Sequence, residues 1–397
     1  MCNYSLLAGV TLELQLVGEG SARIYVSRLD RYKTSEREYV PSKAPVFFNP
    51  LMKTNRDLTI AFIRTAGGIH GLKLTIGDPL AGVGIRSIRV LKETEWATEA
   101  FANDLSERAA DLIAKNSKLN GVGGRITVSS SDANVFLAEH SKPGNRFGYV
   151  DLDPFGSPGP FLDNAVASVI HKGFLAVTAT DTPVLCGIYP EKMRMVYDSF
   201  CTRLPFLKEV GIRVLIASVA RAAARHEMGV QPLACYGERN YLRAYFQVLR
   251  GRPKALHAMQ KVGYVGLHGN PPEWRVVSHQ NLANPVSASG SSESVCGPIW
   301  TEAYEDPQFT VKLRDFGLGV SPQSDELIYK MSEERSEILG YYPHYLLAKA
   351  CGGEALQIEE MLIRLRDGGV TASRTLFDPT AIKANVRFRE LSEMLRG

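Results

Sequence analysis

The sequence predicts an α/β fold with a parallel sheet, followed by a smaller α+β domain at the C-terminal end. Between about residues 70 and 180, short apolar runs alternate with segments of helical spacing, which is typical of βαβ units. A chain of 397 residues is too long for one ordinary domain. Its 45% hydrophobic and 22% charged residues indicate a globular protein with a sizeable core.

The predicted elements follow one another in the order expected for such a sheet. The predicted strands cover residues 72–77, 97–104, 125–133, 146–156, 174–181, 230–237 and 241–249. The predicted helices cover residues 85–93, 105–120, 161–173 and 210–229. The strands are short apolar runs, the helices repeat apolar residues every three or four positions, and Gly121 and Gly173 mark two helix ends.

A stretch rich in serine and glycine at 284–298 is interpreted as a linker. We therefore predict a first domain over residues 1–290, including an N-terminal extension, and a second domain over 291–397. The charge balance changes at the same place: the last segment holds 12 Lys and Arg against 17 Asp and Glu, whereas the first 290 residues hold 34 against 25.

The second domain contains two amphipathic helices, predicted over 325–340 and 354–369, and then a β-type run over 370–377. Two helices followed by a ribbon are the order found in winged-helix-like modules. The same order fits a plain interaction domain equally well, so both interpretations stay open.

Composition argues against a membrane protein, a disulfide scaffold and a zinc protein. No stretch is long and apolar enough to span a membrane, and the apolar segment 5–17 is interpreted as an opening strand because Glu13 and Gln15 interrupt it. The cysteines are scattered without a C-x-x-C pair, at Cys2, Cys186, Cys201, Cys235, Cys296 and Cys351. We expect a reducing cytoplasm and no bound metal.

The segment 192–225 concentrates basic side chains, with seven Lys and Arg against Asp198 and Glu209. Such a segment is able to follow a nucleic-acid backbone. It equally fits the solvated face of a helix, so charge alone permits a nucleic-acid partner without requiring one.

The candidate site residues lie where predicted strands end. In open parallel sheets, ligands bind beyond the carboxyl ends of the strands. Gly82 and Gly84 follow the first strand of the alternating region, where a backbone has to approach closely. Asp104 ends the second strand, where an acid is able to accept both hydroxyls of a ribose, and Asp132 follows the third. The A-G-V-G turn lacks the dinucleotide fingerprint, and an ordinary strand-to-helix turn is the alternative.

The most specific signal follows the fourth strand, at Asp153-Pro154-Phe155-Gly156. Pro154 fixes the turn and leaves its carbonyl directed at a ligand, while Gly156 relaxes the backbone. Asp153 and that carbonyl are able to accept both hydrogens of an exocyclic amine, and Phe155 is able to stack on a planar base. Asp153 then serves as general base. The alternative is a strand-ending turn with a buried Phe, which is costly beside two aspartates.

These motifs resemble those of the tRNA guanine-N2 dimethyltransferases that modify position 26, in their archaeal form, over nearly the whole chain. The motifs that carry the resemblance are Pro45–Pro50, Asn55–Asp57, Ala81–Arg86, Asn103–Asp104, Asp132–Asn134, Asp151–Pro158, Thr178–Asp181, Leu185–Gly187, Gly297–Trp300 and Arg374–Phe377. The element around Asp153 is highly specific. The others are weak individually, but their order is hard to obtain by chance.

The resemblance implies a class I Rossmann-like methyltransferase domain, with a role for each matched position. The residues that it implies for S-adenosylmethionine are Arg56, Gly82, Arg86, Asp104, Asp132 and Ala133. Asp153 is implied as the acid–base residue, with Phe155 and Phe47 on either side of the guanine. Two departures concern other parts: the paired zinc-binding cysteines of some members are missing, and Ala381 and Ala384 replace the usual Gly and Thr.

Three functions remain under comparison at this point. The first is transfer of one or two methyl groups to N2 of a tRNA guanine, with the C-terminal domain recognising the RNA and no obligate protein partner. The second keeps the fold and acts on adenine N6 or cytosine N4 of RNA or DNA. The third is a non-catalytic tRNA-binding factor. The first is favoured, because the aspartates on both the cofactor side and the base side are present.

Overall fold

The computed structural model describes residues 13–33, 39–201, 204–277, 294–352 and 356–396. The chain divides into two compact units, Met1–Phe136 and Leu137–Gly397. The boundary predicted near residue 290 falls inside the second unit and stays a prediction. Most of the predicted linker and the predicted opening strand lie outside the described residues, whereas 294–298 belong to a strand.

The first unit carries the start of the alternating βα pattern. Its strands are β1 (Leu14–Glu19), β2 (Ala22–Ser27), β3 (Leu74–Asp78), β4 (Ala97–Asp104) and β5 (Ile126–Ser130). Its helices are α1 (Lys53–His70), α2 (Ile85–Glu93), α3 (Glu107–Leu119) and the start of α4 (Ala133–Glu139). Strands β5, β4 and β3 lie side by side in that order and run parallel, so their carboxyl ends share one edge.

The second unit begins with the remaining strands of this pattern. Its strands up to residue 277 are β6 (Phe147–Leu152), β7 (Val169–Ala179), β8 (Met228–Glu238), β9 (Tyr241–Arg250), β10 (Val262–His268) and β11 (Glu273–Val277). The helices among them are α5 (Leu162–Ala167), α6 (Thr182–Leu185), α7 (Pro190–Tyr197), α8 (Leu207–Arg225) and α9 (Arg252–Met259). Four of these strands lie side by side in the order β6-β7-β9-β8. Strands β6 and β7 are parallel, whereas the pairs β7–β9 and β9–β8 are antiparallel.

The C-terminal part adds helices around a short ribbon. Its strands are β12 (Ser294–Trp300), β13 (Ala372–Arg374) and β14 (Ile382–Ala384). Its helices are α10 (Pro307–Gly317), α11 (Pro322–Glu333), α12 (His344–Ala350), α13 (Ile358–Asp367) and α14 (Phe388–Arg396). The predicted ribbon is present as the β13–β14 pair. Ala381 and Ala384 are both buried, so these two departures lie within the packing of this part.

A buried ion network fixes α8 to the C-terminal part of the same unit. Glu209 accepts hydrogen bonds from Arg213 Nε (2.8 Å), Lys383 Nζ (2.7 Å) and the amide of Gly340 (2.8 Å). Arg213 also donates to the carbonyl of Trp300. The Glu209 and Lys383 side chains are 0% exposed. Burial acts to raise the pKa of Glu209, but Lys383 and Arg213 offset that effect and hold it below its usual range.

Three helix predictions are wrong at their C-terminal ends. The helix predicted over 210–229 ends at Arg225, and β8 begins at Met228. The helix predicted over 161–173 ends at Ala167, and β7 begins at Val169, which pairs with Phe147 of β6. Gly173 lies inside β7, where an added Cβ would come within 2.8 Å of Val169 Cγ1. The helix predicted over 325–340 ends at Glu333. No helix among the described residues is both long and apolar enough to cross a membrane.

Candidate active site

The carboxyl ends of β3, β4 and β5 are joined by one buried side chain, Asn103. Its Nδ2 donates to the carbonyls of Pro79 (3.1 Å) and Ser131 (2.9 Å). Its Oδ1 accepts from Ser129 Oγ (2.8 Å) and from the amide of Ser131 (3.1 Å). Asn103 therefore holds the turns after β3 and β5 in a fixed register beside the end of β4.

Asp104, the next residue, is half-buried at that edge and receives backbone amides. Its Oδ2 accepts from the amide of Gly82 (2.9 Å) and its Oδ1 from that of Ser106 (3.0 Å). Burial raises the pKa of the carboxyl group, while the Ser106 and Gly82 amides act in the opposite direction. Asp104 forms no ion pair with a described residue, and its carboxylate has the capacity to accept a hydrogen bond from a further donor. An acceptor of this kind fits the hydroxyls of a ribose, and the contact of Asp104 with the cofactor stays a prediction.

The two predicted glycines are required by their backbone conformations. Gly82 has φ +54° and Gly84 has φ +77°, in the left-handed region. A Cβ on Gly82 would lie 2.8 Å from the carbonyl oxygen of Phe47, and one on Gly84 would lie 3.0 Å from Ile113 Cγ2. The close approach at these glycines is therefore to Phe47 and Ile113 of the same unit.

Asp132 and Ala133 lie at the start of α4. Asp132 is exposed, and its Oδ1 caps the helix by accepting from the amides of Asn134 (2.8 Å) and Val135 (3.3 Å). Ala133 is buried. The capping bonds give Asp132 a structural role besides the predicted contact with the cofactor.

The two arginines are buried and already hold protein partners. Arg56 donates through Nε and Nη2 to both oxygens of Glu19 (2.7 and 2.6 Å), and Arg86 Nη1 donates to Thr59 Oγ1 (2.7 Å). Glu19 also accepts from Arg89 (2.9 Å), so a buried ion network surrounds Arg56. The cofactor contacts predicted for these arginines stay predictions.

In the second unit, Asp151 is fully buried near the carboxyl end of β6. Arg243 Nη2 donates to its Oδ2 (2.6 Å), Arg243 Nη1 to its Oδ1 (3.2 Å), and Tyr149 Oη to its Oδ2 (2.7 Å). Arg243 Nη1 also donates to Thr178 Oγ1 (2.6 Å), which ties β9 to β6 and β7. Asp151 therefore serves the fold, although it is only two residues from Asp153.

The residues Asp153–Gly156 form the turn after β6, which we call the DPFG turn. Gly156 has φ +72°; its amide donates to Thr180 Oγ1 (2.7 Å) and its carbonyl accepts from the Thr180 amide (2.9 Å). Pro154 is buried and Asp153 is half-buried. Phe155 is 64% exposed, so the alternative of a buried Phe is wrong. An exposed ring beside a fixed acid suits the stacking of a planar base.

Sequence reasoning missed the groups that support this turn. Tyr197 Oη donates to Asp181 Oδ1 (2.7 Å), and Thr180 and Asp181 follow the end of β7. Burial raises the pKa of Asp181. The residues Thr180 and Asp181 were visible as part of a motif, but no spacing rule pointed to Tyr197.

Three arginines of the basic segment 192–225 hold protein partners in the part that the structure describes. Arg213 is buried against Glu209, Arg225 pairs with Asp163 (2.6 Å), and Arg221 donates to the carbonyl of Tyr197. In the sequence, the i, i+4 spacing of Glu209 and Arg213 was the signal that indicated an ion pair within one helix. In the described part of the chain, no group of three or more His, Cys, Asp or Glu side chains is arranged to hold a metal ion.

Comparisons with known proteins agree with this geometry. Residues 20–396 match the family model described as N2,N2-dimethylguanosine tRNA methyltransferase. The tRNA (guanine(26)-N(2))-dimethyltransferase of Pyrobaculum islandicum is 34% identical, with 97% of this chain and 99% of that protein covered. That of Thermococcus kodakarensis is also 34% identical, with 97% and 100% covered.

A solved structure shares the fold over almost the whole chain. It is the complex of Trm1 from Pyrococcus horikoshii with S-adenosyl-L-methionine, with a TM-score of 0.83 and 30% identity over 96% of this chain and 99% of that one. The predicted Rossmann-like α/β fold with a smaller C-terminal part, the predicted enzyme class and the predicted cofactor are confirmed. The chain therefore belongs to the N2,N2-dimethylguanosine tRNA methyltransferase family.

Proposed function

We propose that this protein transfers one or two methyl groups from S-adenosylmethionine to the exocyclic N2 of guanine 26 in tRNA. The observation that carries the proposal is the DPFG turn, which presents a half-buried acid and an exposed aromatic ring at a strand end. The family relatives named above bear the same activity in their names.

Asp153 is the proposed catalytic residue. The lone pair of the guanine amine is delocalised into the ring, so the amine is a weak nucleophile. Asp153 and the Pro154 carbonyl accept its two hydrogens, which orients the lone pair away from them, and Asp153 takes the proton that methylation releases. A positioned general base contributes roughly 10²- to 10⁴-fold to a rate.

Phe155 is proposed to hold the base by stacking, which is worth about 1–3 kcal/mol per base. The clamp of Thr180 on Gly156 keeps the turn in one conformation, so the acid and the ring keep their spacing. Phe47 is proposed on the resemblance as a second ring against the base. The target base has to leave its stack to reach such a site.

The proposed cofactor residues belong to the first unit. Asp104 accepts the ribose hydroxyls, and the other proposed contacts with the cofactor are Arg56, Gly82, Arg86, Asp132 and Ala133. When bound, S-adenosylmethionine supplies an electrophilic methyl group on its sulfonium. The half-buried carboxylate of Asp104 is the feature of this chain that fits the cofactor. Among the described residues, only backbone amides donate to it.

We further propose tRNA as the partner and a reducing cytoplasm as the compartment, with residues 291–397 recognising RNA. The cysteines Cys186, Cys201, Cys235, Cys296 and Cys351 are free thiols, which suits that compartment.

The test is incubation with unmodified tRNA and isotopically labelled S-adenosylmethionine, followed by nucleoside analysis by mass. We expect label in N2-methyl- and N2,N2-dimethylguanosine at position 26, and loss of label with Asp153→Asn. Asp111→Asn, the same change at an exposed position of α3, serves as the control. Label in an adenine or cytosine derivative would overturn the substrate, and tRNA binding without any label would indicate a binding factor.

A further inference from the structure

Residues 187–201 leave the end of α6 and return to the same place, and we call this segment the α7 excursion. Its two ends meet: a Cβ on Gly187 would lie 3.2 Å from Cys201 Cβ. Helix α7 occupies its middle, with Met193 and Tyr197 buried on one side. The segment is therefore a compact projection with a fixed inner side.

The α7 excursion is anchored beside the DPFG turn. Tyr197 donates to Asp181 at 2.7 Å, and Asp181 directly follows Thr180, which holds the turn through two hydrogen bonds. A Cβ on Gly159, three residues beyond the turn, would lie 3.4 Å from the carbonyl oxygen of Val196. The inner side of the excursion thus contacts the chain that carries Asp153 and Phe155.

The outer side exposes large apolar side chains. The exposed fractions are 84% for Met195, 60% for Ile188, 57% for Tyr189 and 43% for Phe200. The value for Met195 is the largest among the large hydrophobic side chains of the described residues. Single exposed apolar residues are normal, but four within one short projection indicate a surface that contacts something.

Positive charge accompanies these side chains. Lys192 and Arg194 are exposed, and neither forms a salt bridge or a side-chain hydrogen bond within the described part of the chain. Lys192 acts electrostatically on Asp181, which accepts its hydrogen bond from Tyr197. Asp198 Oδ2 lies 3.8 Å from Arg221 Nη1, and Glu191 is in the first turn of α7, where the helix dipole favours an acid. The two cations therefore remain available for an anionic partner.

We propose that the α7 excursion binds the nucleotides that flank the target guanine in tRNA. This inference rests on the proposed function, because a base that leaves its stack exposes the faces of its neighbours. Tyr189, Met195 and Phe200 provide flat or polarisable surfaces for those faces, and Lys192 and Arg194 pair with the adjoining phosphates. Charge complementarity and continuity with the DPFG turn favour RNA over a protein partner.

The role of Lys192 and Arg194 is tested by measuring the binding of unmodified tRNA at several salt concentrations. We expect the double change Lys192→Gln with Arg194→Gln to weaken binding and to reduce the slope of log K against log salt by about 1 for each lost phosphate contact. The matched control is Arg252→Gln with Lys254→Gln on α9, two exposed cations. Because β9 is antiparallel to β7, α9 begins at the edge opposite the DPFG turn. An unchanged slope in the first pair, or an equal loss in both pairs, would overturn the proposal.

The apolar side chains are tested separately. We expect Tyr189→Ala and Met195→Ala each to raise the KM for tRNA by at least about fivefold, while the Kd for S-adenosylmethionine and the Tm stay unchanged. Leu256→Ala on α9 removes a side chain that is 57% exposed and should change none of these quantities. A change in oligomeric state with unaltered tRNA binding would assign the surface to a protein contact instead. Since tRNA binding is measured without turnover, a protein that binds tRNA but transfers no methyl would contradict only the proposed function.

Discussion

Two strand ends, one in each unit, are built on the same plan but with different chemistry. In the first, the neutral amide of Asn103 joins three strand ends and the acid Asp104 follows it. In the second, the Asp151–Arg243 ion pair joins three strands and the acid Asp153 follows two residues later. In both places, buried side chains tie neighbouring strands together, and an acid follows at the strand end.

The two strand ends differ in how much stability is lost when a buried joining group loses its partner. A buried amide that loses a partner leaves one or two polar groups without hydrogen bonds, whereas a buried ion pair that loses a partner leaves a charge. The second strand end is therefore the more fragile. It is also the one that carries the proposed catalytic turn.

The largest effect is expected from Asp153→Asn. We expect kcat to fall by about 10²- to 10⁴-fold, because the amide is unable to take the released proton. The Kd for S-adenosylmethionine should stay close to that of the unaltered protein, since the proposed cofactor residues belong to the other strand end. Single-turnover kinetics with unmodified tRNA provide the measurement. A fall in cofactor affinity without a fall in kcat would reverse the roles assigned to the two acids.

The next effect concerns stability. We expect Arg243→Met to lower the free energy of unfolding of the second unit by about 3–5 kcal/mol, because Asp151 is left buried without its cation. Asn103→Ala should cost less, about 1–3 kcal/mol. Urea unfolding followed by far-UV circular dichroism measures both. Equal losses would mean that the ion pair is no more critical than the amide.

A smaller effect is expected from Asp104→Asn. We expect the Kd for S-adenosylmethionine to rise by about tenfold to a hundredfold, which corresponds to the loss of a charged hydrogen-bond acceptor. Calorimetry with the cofactor alone measures this, and kcat at saturating cofactor should change little. Asp111→Asn, at an exposed position of α3, is the control and should leave this Kd unchanged. An unchanged Kd would remove Asp104 from the cofactor site.

The smallest effect is a pH dependence of cofactor binding. Burial raises the pKa of Asp104, so this acid takes up a proton at a higher pH than an ordinary aspartate does. The ionised form accepts the hydroxyls, and binding should therefore weaken as the pH falls through that raised pKa. The contribution of Asp104 to stability has the opposite sign: a pKa raised on folding makes the folded state gain stability as the pH falls. Titration calorimetry across this window should show a dependence that Asp104→Asn removes.

The sequence was sufficient for residues whose position follows from strand periodicity. Asp104 and Asp153 were predicted because β4 and β6 are short apolar runs that end at an acid, and both were found at those ends. The exposure of Phe155 also agreed with its predicted role. Local pattern places such residues because each acid directly follows the apolar run of its own strand.

Sequence patterns did not predict the residues whose conformation or partners depend on long-range packing. The strand at Val169 followed a helical pattern directly, and only pairing with β6 and β9 settles its conformation. The arginines of segment 192–225 had two interpretations, and the buried position of Glu209 selected the structural one for Arg213. Tyr197 has no motif of its own, since its partner Asp181 is 16 residues away.

The bond between Glu209 and Lys383 has a consequence for synthesis of the chain. These residues are 174 positions apart in the sequence. While the ribosome is still translating the residues before Lys383, the emerging α8 carries an acid that lacks one of the two cations that keep its burial favourable. The nascent second unit is therefore unable to complete this ion network until Lys383 has been translated, whereas a domain held by contacts between nearby residues does not share this delay.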